Sequence, residues 1–215
     1  MPKKRKPARL KPLKTLRIFC EGERTEPNYL NGYIANLDSR NRKSVIEVEK
    51  TRKNTALQLV EEAIAVMHSP GSLPEDEFWV VYDREAVGKY SHELHQKART
   101  KAERSGVKIA LCNVCFEYWL LIHLVDTDAP FSSYADLIGT SALRAEMKKQ
   151  CGCDYDKSVR SIFHLLKHLL PQARDRARRL NAQGLRSAAV GHDLPHHINP
   201  YVGVAELLDA IDAFD

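Results

Sequence analysis

Three apolar runs of strand length, each ending in acidic or amide side chains, constrain this chain more than any other feature of its sequence. The runs cover residues 16–20, 78–82 and 109–112, and each is followed by a helical hydrophobic pattern. Strands that alternate with helices form right-handed crossovers, which produce a parallel sheet. We therefore predict an α/β fold in which helices flank a parallel sheet.

Acidic side chains follow these runs closely: Glu21 and Glu26 after the first, Asp83 and Glu85 after the second, and Glu117 after the third. In open α/β sheets the ligand crevice lies outside the carboxyl ends of the strands, so these carboxylates should converge. Clustered carboxylates repel one another unless a cation neutralises them, and a set of oxygen ligands suits Mg²⁺ or Mn²⁺. The pattern predicts a divalent-metal site for phosphoryl transfer.

Glu21 is the strongest single candidate, because the Gly22 that follows it allows a tight turn where the backbone can approach a phosphate. The alternative is charge compensation at a helix N-terminus, which Glu23 and Glu26 can also supply. Asp83 follows a hydrophobic strand, where an unpaired carboxylate is costly. The rival interpretation of Asp83 is an Asp turn. Glu85 lies two residues on and points the same way if the strand continues.

The third run is followed by residues with mixed interpretations. Asn113 is either a site residue or simply a helix N-cap. Glu117 is better explained by function, because its neighbours in sequence are apolar. His123 is interpreted as a core or edge histidine with satisfied ring nitrogens, and a direct role in the site is the less favoured alternative.

Composition limits the class of protein. At 215 residues, with 43% hydrophobic and 28% charged residues, the chain suits one soluble core with a helical appendage. The longest apolar stretch, 116–125, is interrupted by Glu117 and His123, and the basic start lacks a signal-peptide core, so we expect a cytoplasmic protein with no membrane partner. Five cysteines suggest reduced thiols. A zinc site built from Cys151, Cys153, His164 and His168 is a less favoured alternative.

Charge is distributed unevenly along the chain. Residues 1–17 carry +8 and residues 140–190 carry +7, which leaves −10 for the rest of a chain whose net charge is +5. Basic flanks beside an acidic sheet suit a polyanion such as DNA or RNA held next to metal chemistry. The alternative is that the basic segments only improve solubility or bind nucleic acid non-specifically.

The elements divide the chain into three predicted parts. Residues 1–14 are a flexible basic arm, 15–127 form the α/β core, with strands near 15–20, 45–49, 77–82 and 107–112, and 128–215 form a C-terminal helical part of the same domain. After residue 127 we expect helices only, at 142–149, 157–170, 172–182 and 202–214. One face of the helix at 157–170 is predicted to bind nucleic acid through Lys157, Arg160, His164 and His168.

Three motifs together resemble those of the RloB-like proteins: residues 21–29 (EGERTEPNY), 80–85 (VVYDRE) and 113–123 (NVCFEYWLLIH). Residues 155–157 and Asn199-Pro200 match the C-terminal pattern of that family too. RloB-like proteins are associated with bacterial restriction and anti-phage loci, and their sheet is similar to the Toprim domain of topoisomerases, primases and some nucleases. The resemblance implies a Toprim glutamate at Glu21 and a paired-acid motif at Asp83 and Glu85. The second acid is Glu where Toprim domains have Asp.

These observations predict a Toprim-like, Mg²⁺- or Mn²⁺-dependent nuclease of anti-phage defence. Glu21, Asp83 and Glu85 would hold one or two metal ions. Glu26 or Glu117 would complete the site or act as a base, and Lys157 would lie against the scissile phosphate. One rival is an enzyme that binds or transfers nucleotides. Another is a non-catalytic subunit that binds nucleic acid or defence-system partner proteins.

Overall fold

A five-stranded, mostly parallel sheet forms the centre of the molecule. The structure, a computed structural model, describes residues 12–37 and 43–214. The strand order is β2-β1-β3-β4-β5, in which β1 to β4 are parallel and β5 is antiparallel to β4. The strands are β1 (Lys14–Cys20), β2 (Ser44–Glu49), β3 (Glu77–Asp83), β4 (Lys108–Asn113) and β5 (Tyr201–Val202). The predicted α/β fold is therefore confirmed, while the predicted flexible arm falls mostly on residues 1–11, outside the described part.

Helices cover both faces of the sheet. They are α1 (Thr25–Asn36), α2 (Ala56–Met67), α3 (His92–Ser105), α4 (Glu117–Leu124), α5 (Tyr134–Thr140), α6 (Leu143–Cys151), α7 (Ile162–Leu166), α8 (Leu170–Ser187) and α9 (Val204–Ala213). Two short 3₁₀ turns, Lys167–Leu169 and Pro195–His197, lie between helices and strands of the C-terminal half. Within the described residues, none of the helices combines the length and apolar character needed to cross a membrane.

The alternation of side chains along β3 shows how one strand serves two cores. Phe78, Val80 and Tyr82 pack with α2 and α3 on one face, whereas Trp79 and Val81 pack with the larger cluster on the other. That larger cluster includes side chains from α1, α4, α7, α8 and α9. Because β3 is buried on both faces, it reads in the sequence as a continuous hydrophobic run.

The chain near residue 214 returns to the first strands. Phe214 is buried, its carbonyl accepts a hydrogen bond from Ser44 Oγ at 2.9 Å, and Lys14 Nζ lies 4.6 Å from the centre of its ring. The same hydrophobic cluster contains Leu16 and Phe214. The C-terminal helices therefore complete the core on which β1 and β2 rest.

The prediction that only helices follow residue 127 is wrong at β5. Tyr201 and Val202 pair with β4, and the outer edge of Val202 is satisfied by the Asn181 side chain, which donates to the Val202 carbonyl and accepts its N–H, both at 2.9 Å. A two-residue strand carries no periodic signal in the sequence, and the hydrogen bonds on its outer edge come from a side chain of α8. Asn199-Pro200 leads into this strand, and the helix predicted at 202–214 begins at Val204 as α9.

The predicted helix at 157–170 is also wrong in its first part. Residues 157–161 form turns, α7 covers only Ile162–Leu166, and the following turn is 3₁₀. The four proposed nucleic-acid contacts therefore do not share one continuous helical face. Helix α5 was not predicted, while α8 begins beside Pro171 as expected.

The alternative interpretation of Asn113 as a helix N-cap is wrong. Asn113 ends β4 and donates its side-chain N–H to the Ile198 carbonyl at 2.6 Å, so it does not cap α4. Thr25 begins α1, and its hydroxyl donates to the Lys157 carbonyl at 3.4 Å. Both side chains contact distant parts of the chain, which a local sequence pattern does not reveal. The cap of α2 is local, since Thr55 accepts a hydrogen bond from Gln58 N.

Candidate metal-binding cleft

An acidic cleft of about 330 Å³ lies at the carboxyl ends of β1 and β3. It contains all six side chains that the sequence suggested for catalysis. Its lining residues are Glu21, Gly22, Glu23, Arg24, Thr25, Glu26, Asp83, Glu85, Glu117 and Lys157. Parallel strands deliver their ends to one edge of the sheet, which brings Glu21 beside Asp83. The turn at 157–161 adds Lys157, which lies 136 positions from Glu21 in the sequence.

Glu21 and Asp83 are held together by the backbone of the sheet. The register pairs Cys20 with Val81, and Glu21 N–H continues the ladder by donating to the Val81 carbonyl at 2.9 Å. In turn, Asp83 N–H donates to Glu21 Oε2 at 3.0 Å. One Glu21 oxygen is therefore fixed against β3.

Glu26 reaches the cleft from the first turn of α1 and lies over Gly22. A Cβ atom on Gly22 would overlap the Glu26 carboxylate. Glycine at this position is consequently required for the close approach of Glu26, which is only 6% exposed. This contact explains why the glycine follows Glu21 directly.

Glu85 occupies a strained position at the rim of the cleft. Its φ angle of 58° places it in the left-handed region, which residues other than glycine enter at a cost of order 1 kcal/mol or more. The Glu85 N–H donates to the Val114 carbonyl at 2.9 Å, and its carboxylate forms an ion pair with Lys89 at 2.7 Å. Strain of this kind is concentrated at functional sites.

Glu117 is buried at the floor of the cleft with two partners that sequence reasoning did not assign. Tyr155 donates its hydroxyl to Glu117 Oε1 at 2.5 Å, and Lys157 Nζ lies 3.7 Å from the same oxygen. Lys157 Nζ also lies 3.7 Å from the centre of the Tyr134 ring. These contacts aim the Lys157 ammonium toward the acidic side chains.

The carboxylates repel one another in the absence of a neutralising ion. Burial and then the surrounding carboxylates, first that of Glu26, raise the pKa of Asp83 well above its ordinary value. Burial, partly opposed by the hydrogen bond from Asp83 N–H, raises the pKa of Glu21 to about 7. Burial and the Glu117 charge also raise the pKa of Glu26. The cleft therefore concentrates negative charge that a cation would relieve.

The carboxylates do not form a closed cage. Within residues 12–37 and 43–214, no three acidic side chains of the cleft place one oxygen each within 4.8 Å of one another. This spacing is compatible with Mg²⁺, which usually keeps several waters and binds through one or two carboxylates. A purely protein-built Ca²⁺ cage is not what these residues provide.

Other predicted site residues lie outside the cleft. Arg160, His164 and His168 are exposed and do not line it. His123 is fully buried, with Tyr29 Oη 3.0 Å from Nε2 and the Trp119 carbonyl 2.8 Å from Nδ1, as expected for a core histidine. Of the four proposed nucleic-acid contacts, Lys157 alone belongs to the cleft.

Three residues in or beside the cleft were missed. Arg24 immediately precedes α1 and lines the cleft, while Tyr134 and Tyr155 position Lys157 and Glu117. The position of Arg24 directly after Glu21 and Glu23 in the sequence could have predicted that it lies in the same cleft. The tyrosines act across separate helical segments, so only the folded arrangement reveals them.

Fold and cleft together define an α/β protein with an oxygen-rich acidic site at the carboxyl edge of its sheet. The model of the family described as RloB-like protein matches residues 16–211. The chain therefore belongs to the RloB-like protein family, and the resemblance noted in its motifs is confirmed. No curated protein and no solved structure matches the chain.

Proposed function

We propose that this protein is a divalent-metal-dependent nuclease of anti-phage defence, with a Toprim-like site in the acidic cleft. The observation that supports this most directly is the convergence of six carboxylates and one lysine at the carboxyl edge of a parallel sheet. Hydrolysis of a phosphodiester needs a neutralised anion, an activated water and a stabilised leaving oxygen. The residues of the cleft are of the types that supply these with a metal ion.

The donor set fits a hard cation. Glu21, Asp83 and Glu85 are the proposed ligands of Mg²⁺ or Mn²⁺, because all three offer carboxylate oxygens at the ends of β1 and β3. With their present spacing, two of them would bind the ion directly and the third through a water of its hydration shell. The metal would supply Lewis-acid polarisation of the phosphate and a more acidic water. The raised pKa values of Glu21 and Asp83 provide the electrostatic reason for binding it.

Glu26 is the best placed general base. Burial raises the pKa of its carboxyl group, so it takes up a proton from a nearby water more readily than an exposed glutamate does. Glu117 instead is oriented by the Tyr155 hydroxyl and by Lys157, which suits a group that positions the lysine. The two acids therefore have different roles in the proposal.

Lys157 is the proposed contact to the scissile phosphate. Burial lowers the pKa of its ammonium group, but the charge of Glu117 and other neighbours raises it by more, so the lysine stays charged. A fixed cation beside a phosphate stabilises the additional negative charge of the transition state.

Cleavage assays with the full chain test this proposal. Single-stranded and duplex DNA, RNA and tRNA would each be incubated with Mg²⁺, with Mn²⁺ or with EDTA. We expect metal-dependent cleavage of at least one substrate, reduced by at least about 100-fold in Glu21→Gln and Asp83→Asn, the scale for removing one key electrostatic group. Glu103→Gln, an exposed acid on α3, is the matched control and should retain activity.

A nucleotide-binding or nucleotidyl-transferring enzyme is the second candidate. The supporting observation is a mainly apolar recess of about 230 Å³ that shares Glu21 and Asp83 with the cleft and is also lined by Leu57, Tyr90 and Leu94. Such a recess suits a nucleobase whose phosphates reach the acidic side chains. Metal-dependent turnover of nucleoside triphosphates without cleavage of any polymer would favour this candidate over the nuclease.

A further inference from the structure

A second group of potential ligands lies outside the acidic cleft. His92, at the start of α3, meets His196 and His197 of the 3₁₀ turn, and one ring nitrogen from each lies within 4.8 Å of those of the other two. The ring centroids of His92 and His197 are 4.3 Å apart, and those of His196 and His197 are 4.2 Å apart. Five of the nine histidines of the chain are gathered at 92–95 and 192–197.

Two ring nitrogens of this cluster are left without a hydrogen-bond partner. His196 Nε2 and His197 Nδ1 are buried from solvent without a hydrogen-bond partner, and His196 is only 2% exposed. His123 has partners at both nitrogens, as a structural histidine should. A buried polar atom without a partner calls for an explanation, and a bound ion is one of the standard ones.

We propose that His92, His196 and His197 form a second metal site, which takes Zn²⁺ or a similar borderline divalent ion. Imidazole nitrogen suits Zn²⁺, Cu²⁺, Ni²⁺ and Co²⁺, whereas the oxygen ligands of the acidic cleft suit Mg²⁺ or Mn²⁺. Three histidines with a water in the fourth position make a complete tetrahedral set. His192, exposed and 4.8 Å from His197 between ring centroids, is available as a fourth protein ligand.

One electrostatic effect favours metal binding by the cluster and another opposes it. Burial lowers the pKa of His92, His196 and His197, so each ring is neutral near neutral pH and has one nitrogen lone pair available for a metal. Arg84 opposes a dication, and its Nη2 lies 3.4 Å from His92 Nδ1. If zinc bound through Nε2 of His92, the ring proton would stay on Nδ1. Nδ1 could then no longer accept a hydrogen bond from Arg84. We therefore expect weaker affinity than in a site that contains carboxylate or thiolate ligands.

The site would connect two segments that also hold Arg84 in place. The buried Arg84 donates to the His196 carbonyl and to the Tyr90 carbonyl, each at 2.9 Å. Zinc would tie the start of α3 to the turn at 195–197 and so restrain the surroundings of Arg84. Because Asp83 and Glu85 flank Arg84 in the sequence, the bound ion would stabilise the strand end that carries the acidic cleft.

Zinc binding to the full chain tests this site independently of nuclease activity. Metal-free protein would be equilibrated with Zn²⁺ in the presence of excess Mg²⁺, and the bound zinc would be measured by mass spectrometry of the metal. We expect one zinc per chain in the wild type and its loss in His92→Ala/His197→Ala. His164→Ala/His168→Ala and Cys151→Ser/Cys153→Ser are controls that should retain it, because these residues do not form a three-ligand group in the described structure.

A second measurement uses only the wild-type protein, so it does not depend on the folding of a variant. Diethylpyrocarbonate modifies accessible imidazoles, and we expect Zn²⁺ to protect His92 and His197 while the exposed His164 and His168 still react. Co²⁺ should also produce the visible absorption of a tetrahedral nitrogen site. Absence of stoichiometric zinc, equal zinc in the His92/His197 variant, or protection of neither histidine would overturn the proposal.

Discussion

Glu21 has a structural task and a proposed ligand task at the same time. One carboxylate oxygen accepts the Asp83 N–H at 3.0 Å, while the rest of the group faces the acidic cleft. Its charge therefore supports the pairing of β1 with β3 and yet repels its neighbours. The balance between these effects depends on whether a cation is bound.

The free energy of unfolding should depend on pH because of this repulsion. The pKa of Glu21 rises from 4.5 to about 7 on folding, so the folded state holds this proton more tightly, and the associated stability is lost as pH rises from about 4.5 to 7. In EDTA, Glu21→Gln should increase the free energy of unfolding at pH 8 by about 1–3 kcal/mol and have little effect at pH 4.5. Denaturant titrations at both values measure this, and an equal effect at both would contradict it.

The left-handed backbone of Glu85 gives a second prediction at this scale. The free energy of unfolding of Glu85→Gly should exceed that of Glu85→Ala by about 1 kcal/mol, because only glycine adopts φ near 58° without strain. Denaturant titration of the two variants measures this difference. At an ordinary position alanine is the more stable of the two. Both variants lack the carboxylate, so the comparison isolates the backbone, and a more stable alanine variant would show that the strain is absent.

At the scale of elements, β5 depends on a close approach of two backbones. A Cβ atom on Gly203 would lie 2.9 Å from Leu111 N, and Gly203 N–H donates to the Leu111 carbonyl at 2.8 Å. Gly203→Ala should therefore reduce the free energy of unfolding by about 1–3 kcal/mol, the usual cost of overpacking. Calorimetry measures this change.

Gly139 in α5 provides the matched control for Gly203. Nothing lies within 4 Å of a Cβ atom there, so Gly139→Ala should be neutral or stabilise by about 0.4–1 kcal/mol. Equal losses in the free energy of unfolding of the two variants would contradict the prediction that the close approach of Gly203 to β4 requires glycine.

The regular elements could be predicted from the sequence, whereas the short ones could not. The strand from Glu77 to Asp83 is buried on both faces and therefore shows as an apolar run, and its end identified Asp83 and Glu85. The two-residue β5 exists because Asn181 supplies its outer hydrogen bonds, a tertiary contact without local signal. The histidine cluster was missed for the same reason: His92 lies 104 and 105 positions before His196 and His197 in the chain.

At the scale of the whole molecule, exposed basic residues follow the cleft residue Lys157 along the chain. Lys157 enters the cleft, while Arg160 and Lys167 are exposed near α7, which packs against α1. Helix α3 lies with α2 on the opposite face of the sheet. A nucleic acid bound in the cleft would therefore extend over the α7 side.

Salt dependence tests this path. Arg160→Ala/Lys167→Ala should bind duplex DNA with a smaller log–log salt slope, by roughly 0.9 for each phosphate that the variant no longer neutralises. Arg104→Ala, an exposed arginine on α3, is the control and should leave the slope unchanged. Filter binding between roughly 50 and 200 mM salt, the range over which such slopes are visible, measures it. An unchanged slope in the double variant would place the nucleic acid elsewhere.

The contacts of Phe214 with Lys14 and Ser44 have a consequence for biosynthesis. The first two strands gain their final partners only after about 170 further residues have been synthesised and have left the ribosome. Contacts of such long sequence separation slow folding, because the loop must close before the contact forms. The acidic cleft, which needs β1 and β3 in register, is therefore expected to assemble only after residues up to 214 have been synthesised.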